Sequence, residues 1–151
     1  MPSTVTAATE VPLDPARALG LWADVRRWPS FVDGFARVRE LSPTWPEPGS
    51  TVVWESHPEG RGRVTEKVLE SGVSRFATRI YEERLAGTQT AEVAGAEGGS
   101  WVELRLEYEL VKRGPMRGVT DLLFIRRALR EALVRSLRRF AVEAEDDAGL
   151  R

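Results

Sequence analysis

The chain has 151 residues, with 42% hydrophobic and 30% charged residues and a formal net charge of −1 at pH 7. This size and composition are typical of one globular domain with an ordinary core, so we expect a single domain over residues 1–151. The absence of cysteine excludes a disulfide framework and thiolate chemistry, and the lack of any long apolar run predicts a cytoplasmic protein with no transmembrane segment.

The first third of the sequence predicts one strand and two short helices. The stretch 3–11 is rich in Thr, Val and Ala, which favours a strand. Asp14 is a good N-cap and is followed by proline, a residue preferred at the first helical position, so a short helix is expected to begin there. We expect Trp28-Pro29 to end this helix, and 30–35 to form a second helical segment before a strand at 36–41.

The middle of the sequence predicts an antiparallel meander. A stiff, proline-rich loop at 42–50 is followed by several stretches with strand character, separated by short links that contain glycine. These stretches are 51–57, 61–70, 74–84, 87–94 and 100–111. Links this short join neighbouring antiparallel strands.

Side chains in these strands alternate between two faces. In 100–111 an apolar series alternates with Trp101 and charged residues, which is typical of a sheet packed on one side and wet on the other. The apolar series consists of Val102, Leu104, Leu106, Tyr108 and Leu110. The same alternation in the other strands gives further inward candidates, namely Val52, Trp54, Ser56, Val64, Glu66, Val68, Phe76, Thr78 and Ile80.

The last third predicts one long helix, which follows a Gly-Pro joint at 114–115 and spans 119–147. At about 1.5 Å per residue it would be roughly 40 Å long, so it can lie along a whole sheet. We infer a sheet that grips this helix around an internal cavity suited to a small apolar molecule. The stripe expected to meet the sheet consists of Val119, Leu122, Leu129, Leu133, Leu137, Phe140 and Ala144, with Arg126 near its middle and Arg130 at its edge.

Arg126 and Glu66 are charged side chains on faces predicted to point inward. Arg126 is interpreted either as an anchor for a ligand carboxylate or phenolate, or as a side chain that reaches water along its stem or pairs with a carboxylate such as Glu66. Burial of Glu66 would raise its pKa and suit it to general acid or base catalysis, whereas a place at a sheet edge or bulge would not. These two residues are the candidate catalytic groups.

Large side chains on the same inward faces are candidates for the walls of a ligand pocket. An aromatic set at strand spacing also occurs in ordinary cores, so simple packing is the alternative. Trp45, in the proline-rich loop, is a candidate for the pocket entrance. The ligand-binding candidates are Trp28, Phe35, Trp54, Phe76, Thr78, Leu106, Tyr108 and Arg126.

Other chemistries lack their sequence signatures. His57 is the only histidine, so neither a multi-histidine metal site nor a histidine relay is available, and we expect it at the surface. No glycine-rich phosphate loop leads from a strand into a helix. The arginines of 126–139 are spread around the helix without an aromatic stacking motif, which favours a solvated face. We therefore expect no cofactor, no metal and no nucleic-acid partner.

Several of these segments resemble the START-like superfamily, also called SRPBCC or birch-pollen-allergen-like proteins. In the first third the resemblance is carried by the opening strand and by 11–17, 21–24 and 28–31. In the tail it is carried by Gly114-Pro115-Met116 and the helix residues Leu129, Leu133, Leu137 and Phe140. The segments span nearly the full chain, and they are most similar to the polyketide cyclase/dehydrase and lipid-transport branch.

The resemblance implies an α+β helix-grip fold. Such a fold has a seven-stranded curved antiparallel sheet, two short helices after the first strand, and a long C-terminal helix packed across the sheet around a hydrophobic cavity. The implied partner is a small hydrophobic molecule, such as a lipid, a polyketide or a related ring compound, bound by a monomer or a homodimer.

Three functions remain open from the sequence. The leading hypothesis is a START-like ligand-binding domain that holds its ligand between sheet and helix. One alternative is an aromatic polyketide cyclase/dehydratase that uses Glu66 and Arg126 in the same cavity for proton transfer and enolate stabilisation. The other is a non-catalytic interaction or stress-related module with a filled interior.

Overall fold

The computed structural model describes residues 2–58, 60–111 and 119–150, with the side chains of the last range from 122 onward. A strand comes first, followed by two short helices with a 3₁₀ turn between them, then six strands and a long helix. The elements are β1 (Ser3–Val11), α1 (Pro15–Ala23), a 3₁₀ turn (Val25–Arg27), α2 (Trp28–Phe31), β2 (Phe35–Leu41), β3 (Thr51–Ser56), β4 (Arg63–Ser71), β5 (Arg75–Tyr81), β6 (Leu85–Ala96), β7 (Gly99–Leu110) and α3 (Val119–Asp147).

The strands form one antiparallel, seven-stranded sheet in the order β1-β7-β6-β5-β4-β3-β2. Strands β3 to β7 are the predicted meander, β2 pairs with β3 at one edge, and β1 pairs with β7 at the other, with Val5 opposite Leu106. The sheet is curved and α3 lies across it, so the predicted helix-grip fold is confirmed. The predicted Gly114-Pro115 joint lies outside the described residues.

The two short helices start and stop for local reasons. Asp14 accepts a hydrogen bond from the backbone N–H of Arg17 (2.9 Å), and Pro15 occupies the first helical position, as predicted. The prediction that Trp28-Pro29 ends α1 is wrong. The helix already ends at Ala23, and the side chain of the following residue, Asp24, accepts from the backbone N–H of Arg26 (3.1 Å) and so starts the next turn. Pro29 then lies in the first turn of α2, where a missing N–H costs nothing.

The alternation of the strands places their predicted faces correctly. Val52, Val64, Val68, Phe76 and Ile80 are buried, and so are the four residues from Val102 to Tyr108 on the inner face of β7. Trp54, Glu66 and Thr78 are buried with them. The inner face of the sheet is therefore largely apolar, and the carboxyl of Glu66 and the hydroxyl of Thr78 lie together on it, on the neighbouring strands β4 and β5.

Helix α3 is buried along only part of its length. Its second half is buried at Leu133, Leu137, Phe140 and Ala144. The ring of Phe140 packs against Trp22 and Phe31 of the short helices, with ring centroids 5.4 and 5.1 Å away. In the first half of the helix the predicted stripe holds only in part: Leu129 is half-buried against the core, but Leu122 is 45% exposed. The side chain of Val119 lies outside the described residues. Arg126 and Arg130 are exposed as well, so the prediction that they interrupt a packed seam is wrong. The prediction treated the helix as packed along its full length.

Candidate functional site

A layer of aromatic rings connects the short helices to the sheet. Trp28 donates a hydrogen bond from Nε1 to the carbonyl oxygen of Trp22 (2.8 Å) and packs edge-on against Trp45 (5.8 Å). Trp45 donates from Nε1 to the carbonyl oxygen of Ala23 (2.8 Å) and also meets Phe76 (5.9 Å). These hydrogen bonds leave the indole N–H groups satisfied while the rings fill the interior.

Trp54 connects this layer to the inner face of the sheet. It is fully buried on β3, and Phe35 stacks on its ring with the centroids 5.2 Å apart. The indole Nε1 donates to Oε2 of Glu66 at 2.8 Å. Glu66 lies on the next strand, directly opposite Val52, so the sheet register itself sets this pair.

Glu66 is buried within the sheet and holds two hydrogen bonds. Besides Trp54, the hydroxyl of Thr78 donates to its Oε1 at 2.9 Å. Burial raises the pKa of Glu66, because a desolvated carboxylate is unfavourable, although both donors and the nearby charge of Arg61 act in the opposite direction. The site therefore holds a carboxyl group whose proton is retained to higher pH than usual. That is the property required of a general acid or base.

Arg61 brings a positive charge to the same place. It lies between two glycines in the link before β4, and its guanidinium stands 5.5 Å from the centre of the Trp54 ring. Its Nε donates to the buried side chain of Glu82. Its Nη2 is buried and has no hydrogen-bond partner. A buried donor without a partner costs free energy, which a ligand oxygen at this position would recover.

A cavity of about 40 Å³ lies between the sheet, the short helices and α3. Glu66 and Arg61 lie among its polar lining groups, and tryptophan and leucine side chains supply most of its apolar lining. Its lining residues are Trp22, Trp28, Val32, Asp33, Trp54, Arg61, Glu66, Gln89, Leu104, Ala132, Leu133 and Ser136. A space that holds one benzene ring measures roughly 150 Å³, so this cavity has room for water but not for a ring compound unless its walls move apart.

The structure brings only some of the predicted site residues together. Trp28, Trp54 and Glu66 line the cavity. Five other predicted residues are buried in the surrounding core and do not line it: Phe35, Phe76, Thr78, Leu106 and Tyr108. Their contact with a ligand stays a prediction. Arg126 is exposed on α3, so the structure does not place it with Glu66, whose nearby cation is Arg61.

Sequence reasoning missed Arg61, Gln89, Asp33 and Ser136. Strand alternation could have predicted that Gln89 points inward, because it falls in the same alternating series as Leu85, Gly87, Ala91 and Val93, which are buried on β6. The other three lie in loops or on the helix, where no strand period applies. The position of Asp33 and Ser136 at the cavity depends on how α2 meets α3, and that of Arg61 on how the link between β3 and β4 folds, and no local pattern encodes either.

A second polar cluster fixes the helix beside this cavity. The backbone N–H of Asp33 donates to Oγ of Ser136 (2.9 Å). The carboxylate of Asp33 accepts two hydrogen bonds from Arg135 (both 3.0 Å) and one from Arg139 (3.3 Å). Burial raises the pKa of Asp33, but the two arginines outweigh it and leave that pKa below its usual value. Asp33 is therefore a charged tether between α2 and α3.

The described ranges contain neither a metal-binding cluster nor a membrane-spanning helix. Across 2–58, 60–111 and 119–150, no cluster of His, Cys, Asp or Glu is arranged to hold a metal ion. Within those ranges, no helix is long and apolar enough to cross a membrane. His57 is exposed, as expected.

Comparisons with known proteins agree with this geometry. The fold is that of START-like, helix-grip proteins. The family model described as polyketide cyclase/dehydrase and lipid transport matches residues 2–145, and the chain belongs to that family. No curated protein matches the sequence.

Three solved structures illustrate the similarity. The di-domain aromatase/cyclase StfQ of the steffimycin biosynthetic pathway has a TM-score of 0.80 and 15% identity, covering 99% of this chain and 52% of its own. The Zhui aromatase/cyclase from a Streptomyces species has a TM-score of 0.77 and 14% identity, covering 96% and 94%. A START superfamily protein from Mycobacterium smegmatis has a TM-score of 0.75 and 11% identity, covering 95% and 97%. At such identities the likeness establishes the fold alone.

Proposed function

We propose that the protein, as a single domain, binds a small and mostly apolar molecule between the sheet and α3, with one ligand oxygen held by Arg61 and Glu66. The observation that carries this proposal is the buried, unpartnered Nη2 of Arg61 at the same cavity as the buried carboxyl of Glu66. A ligand site with an apolar lining and a few convergent polar groups has this composition. The family's description favours a lipid or a polyketide-like ring compound.

The proposal requires the walls of the cavity to move. A volume of about 40 Å³ is too small for such a ligand. Helix α3 is the wall least held by the core in its first half, because Leu122, Leu123 and Phe124 are exposed there. Ligand entry would therefore be coupled to displacement of this half of the helix up to the lining residues Ala132 and Leu133, while the part from Arg135 onward, tethered to Asp33, stays in place.

Thermal unfolding with matched ligands tests this function. The panel pairs naphthalene with 2-naphthol and 2-naphthoate, and decane with decanoate, so that members of a pair differ only in an oxygen-bearing group. The oxygen-bearing member is expected to raise the Tm by roughly 5 °C near saturation and to exceed its partner.

Arg61 variants provide the specificity control. Arg61→Met should remove the difference within each pair, whereas Arg105→Met, an exposed arginine on the outer face of β7, should keep it. Arg61→Lys retains a charge for Glu82 and serves if the methionine variant does not fold. The proposal is contradicted if no compound shifts the Tm, or if the Tm difference within each pair is the same in Arg61→Met as in the parent.

A second candidate function, a cyclase or dehydratase, is favoured by the raised pKa of Glu66. In a dehydration, the Glu66 carboxylate would remove a proton from the carbon beside a ligand carbonyl, and Arg61 would stabilise the enolate oxygen. The same proton would then pass from Glu66 to the departing hydroxyl, which leaves as water while the C=C bond forms. Arg61 takes the role that the sequence assigned to Arg126.

Turnover of a bicyclic β-hydroxy ketone, followed by the absorbance of the enone product, tests the enzyme function. Glu66→Gln and Arg61→Met should each reduce turnover at least about 100-fold while probe binding persists. Glu70→Gln, an exposed glutamate on the same strand, is the matched control and should retain full turnover. Turnover that survives in both site variants excludes this assignment and leaves the carrier function.

A further inference from the structure

The first turns of α3 carry an exposed apolar surface that the ligand site does not use. Leu122, Leu123 and Phe124 are 45%, 60% and 72% exposed. They follow one another in the sequence, whereas no two large exposed apolar residues elsewhere in the described chain are consecutive. A contiguous apolar patch on a soluble surface marks an interaction site.

The apolar residues are followed directly by arginines. Arg126, Arg127 and Arg130 are all exposed on the same part of the helix, and only Arg127 has an ion pair with a described partner, Glu131, at 3.1 Å. The sequence from 112 to 130 holds six basic residues and one acidic residue. The partner of this surface should therefore be both apolar and negatively charged.

We propose that this surface, Leu122 to Phe124 with Arg126 and Arg130, docks the protein on an anionic lipid bilayer. Successive helical residues project about 100° apart, so the three apolar side chains point over more than half of the helix circumference. A protein groove takes a single face at i, i+3, i+4 and i+7, which this set does not form. The interfacial layer of a membrane surrounds a helix end and buries all three side chains, while the arginines meet lipid phosphates.

The charge of the surface argues against a second copy of the chain as its partner. A two-fold dimer would place the same basic surface on both sides of the contact, and like charges at short range are unfavourable. An anionic bilayer has the opposite charge and needs no complementary shape. The proposal is independent of the ligand site, although a carrier of apolar molecules would find its ligand at such a bilayer.

Vesicle sedimentation with the full chain, without added ligand, tests the proposal. Binding is measured on phosphatidylcholine vesicles with about 30 mol% phosphatidylserine and on pure phosphatidylcholine vesicles. The protein should bind the anionic vesicles and bind the neutral ones at least about ten-fold more weakly. Binding should also weaken as salt rises above about 0.1 M.

Two pairs of variants locate the contact. Leu123→Ser with Phe124→Ser should weaken binding at least about ten-fold, whereas Val73→Ser, an exposed apolar change in the β4–β5 turn, should have no effect. Arg126→Gln with Arg130→Gln should weaken binding about five-fold per arginine, and Arg105→Gln should not. All variants should keep the Tm of the parent, because the altered side chains are exposed.

Three results would overturn the proposal: no binding to anionic vesicles, equal binding to neutral ones, or binding that the patch variants leave unchanged. If sedimentation velocity shows a dimer, and the Leu123 and Phe124 changes convert it to a monomer, the surface instead binds a second copy of the chain. The ligand-induced Tm shift is measured on the same variants. If it persists while vesicle binding is lost, docking and ligand binding are separate functions, and each can fail without the other.

Discussion

Glu66 shows how burial and hydrogen bonding compete at a single carboxyl. Trp54 and Thr78 both donate to it, which favours the charged form, but its burial has the larger effect and raises its pKa. In the unfolded chain a glutamate ionises near pH 4.3. Above that pH the unfolded state has released a proton that the folded state still holds, so this residue makes the free energy of unfolding fall as pH rises toward its folded pKa.

The variant Glu66→Gln should remove this pH dependence. The amide can accept from Trp54 and donate to Thr78, so the interior stays hydrogen-bonded. At pH 4 the variant and the parent should be similarly stable. Between pH 4 and pH 8 the variant should gain about 1.4 kcal/mol over the parent for each unit by which the folded pKa exceeds the unfolded one. Urea unfolding across this pH range measures the difference, with Glu70→Gln as the exposed control. A difference that is constant with pH would contradict the argument.

Helix α3 is one element with two environments. Its second half has a buried apolar face, the tether to Asp33, and a basic partner at its end. Its acidic C-terminus opposes the helix macrodipole, and Arg27 offsets this by bonding Glu143 and Asp147, each at 2.8 Å. These two hydrogen bonds raise the pKa of Arg27, which stays charged at every relevant pH. The first half of α3 has exposed apolar side chains and arginines instead.

The tether predicts a second pH effect, of opposite sign. The pKa of Asp33 is lowered by Arg135 and Arg139, so its ion pairs stabilise the fold above about pH 4 and the stabilisation is lost as pH falls through the lowered value. Asp33→Asn keeps the backbone bond to Ser136 and removes the charge. It should cost about 1 kcal/mol at pH 7 and little at pH 2, by urea unfolding. Glu131→Gln, which breaks the exposed pair with Arg127, is the control and should cost less. An Asn variant equally destabilised at both pH values would mean that Asp33 acts by packing alone.

At the scale of the molecule, local sequence patterns correctly predicted the features that depend only on nearby residues, namely helix starts and the inner faces of strands. Asp14 identified a helix start because capping acts within one turn. The alternation around Trp54 and Leu104 identified the inner faces because side chains in a strand point alternately to its two sides. Arg126 was wrongly predicted to point inward. Its exposure depends on how far the sheet and the short helices extend along α3, and the helical period of the sequence does not predict that length.

The candidate site was harder to predict than the fold for a related reason. Glu66 was found because a carboxyl in an apolar series is conspicuous within one strand. Its cation was not found, because Arg61 comes from a loop and meets Trp54 only through chain folding between β3 and β4. The pairing of β1 with β7 likewise joins the first and last strands in the sequence, a contact that neither segment encodes alone.

The small volume of the cavity, about 40 Å³, leads to a prediction about the whole molecule. Separating α3 from the sheet costs free energy and weakens the binding of any ligand that requires it. A larger cavity that is already present without ligand should therefore strengthen binding. Leu133→Ala removes a side chain that lines the cavity and should cost about 2–5 kcal/mol of stability without ligand. An apolar ring compound that fills the new space should then raise the Tm of this variant by more than it raises that of the parent.

Leu137 provides the matched control for this experiment. It is buried on the same helix, one turn further on, but does not line the cavity. Leu137→Ala should lose comparable stability and gain no additional Tm shift from the ligand. If Leu133→Ala does not fold, Leu133→Val makes a smaller space at a cost of about 1 kcal/mol, and the same comparison applies. Equal ligand-induced shifts at both positions would show that the ligand does not enter between α3 and the sheet, since only one of these side chains lies on that path.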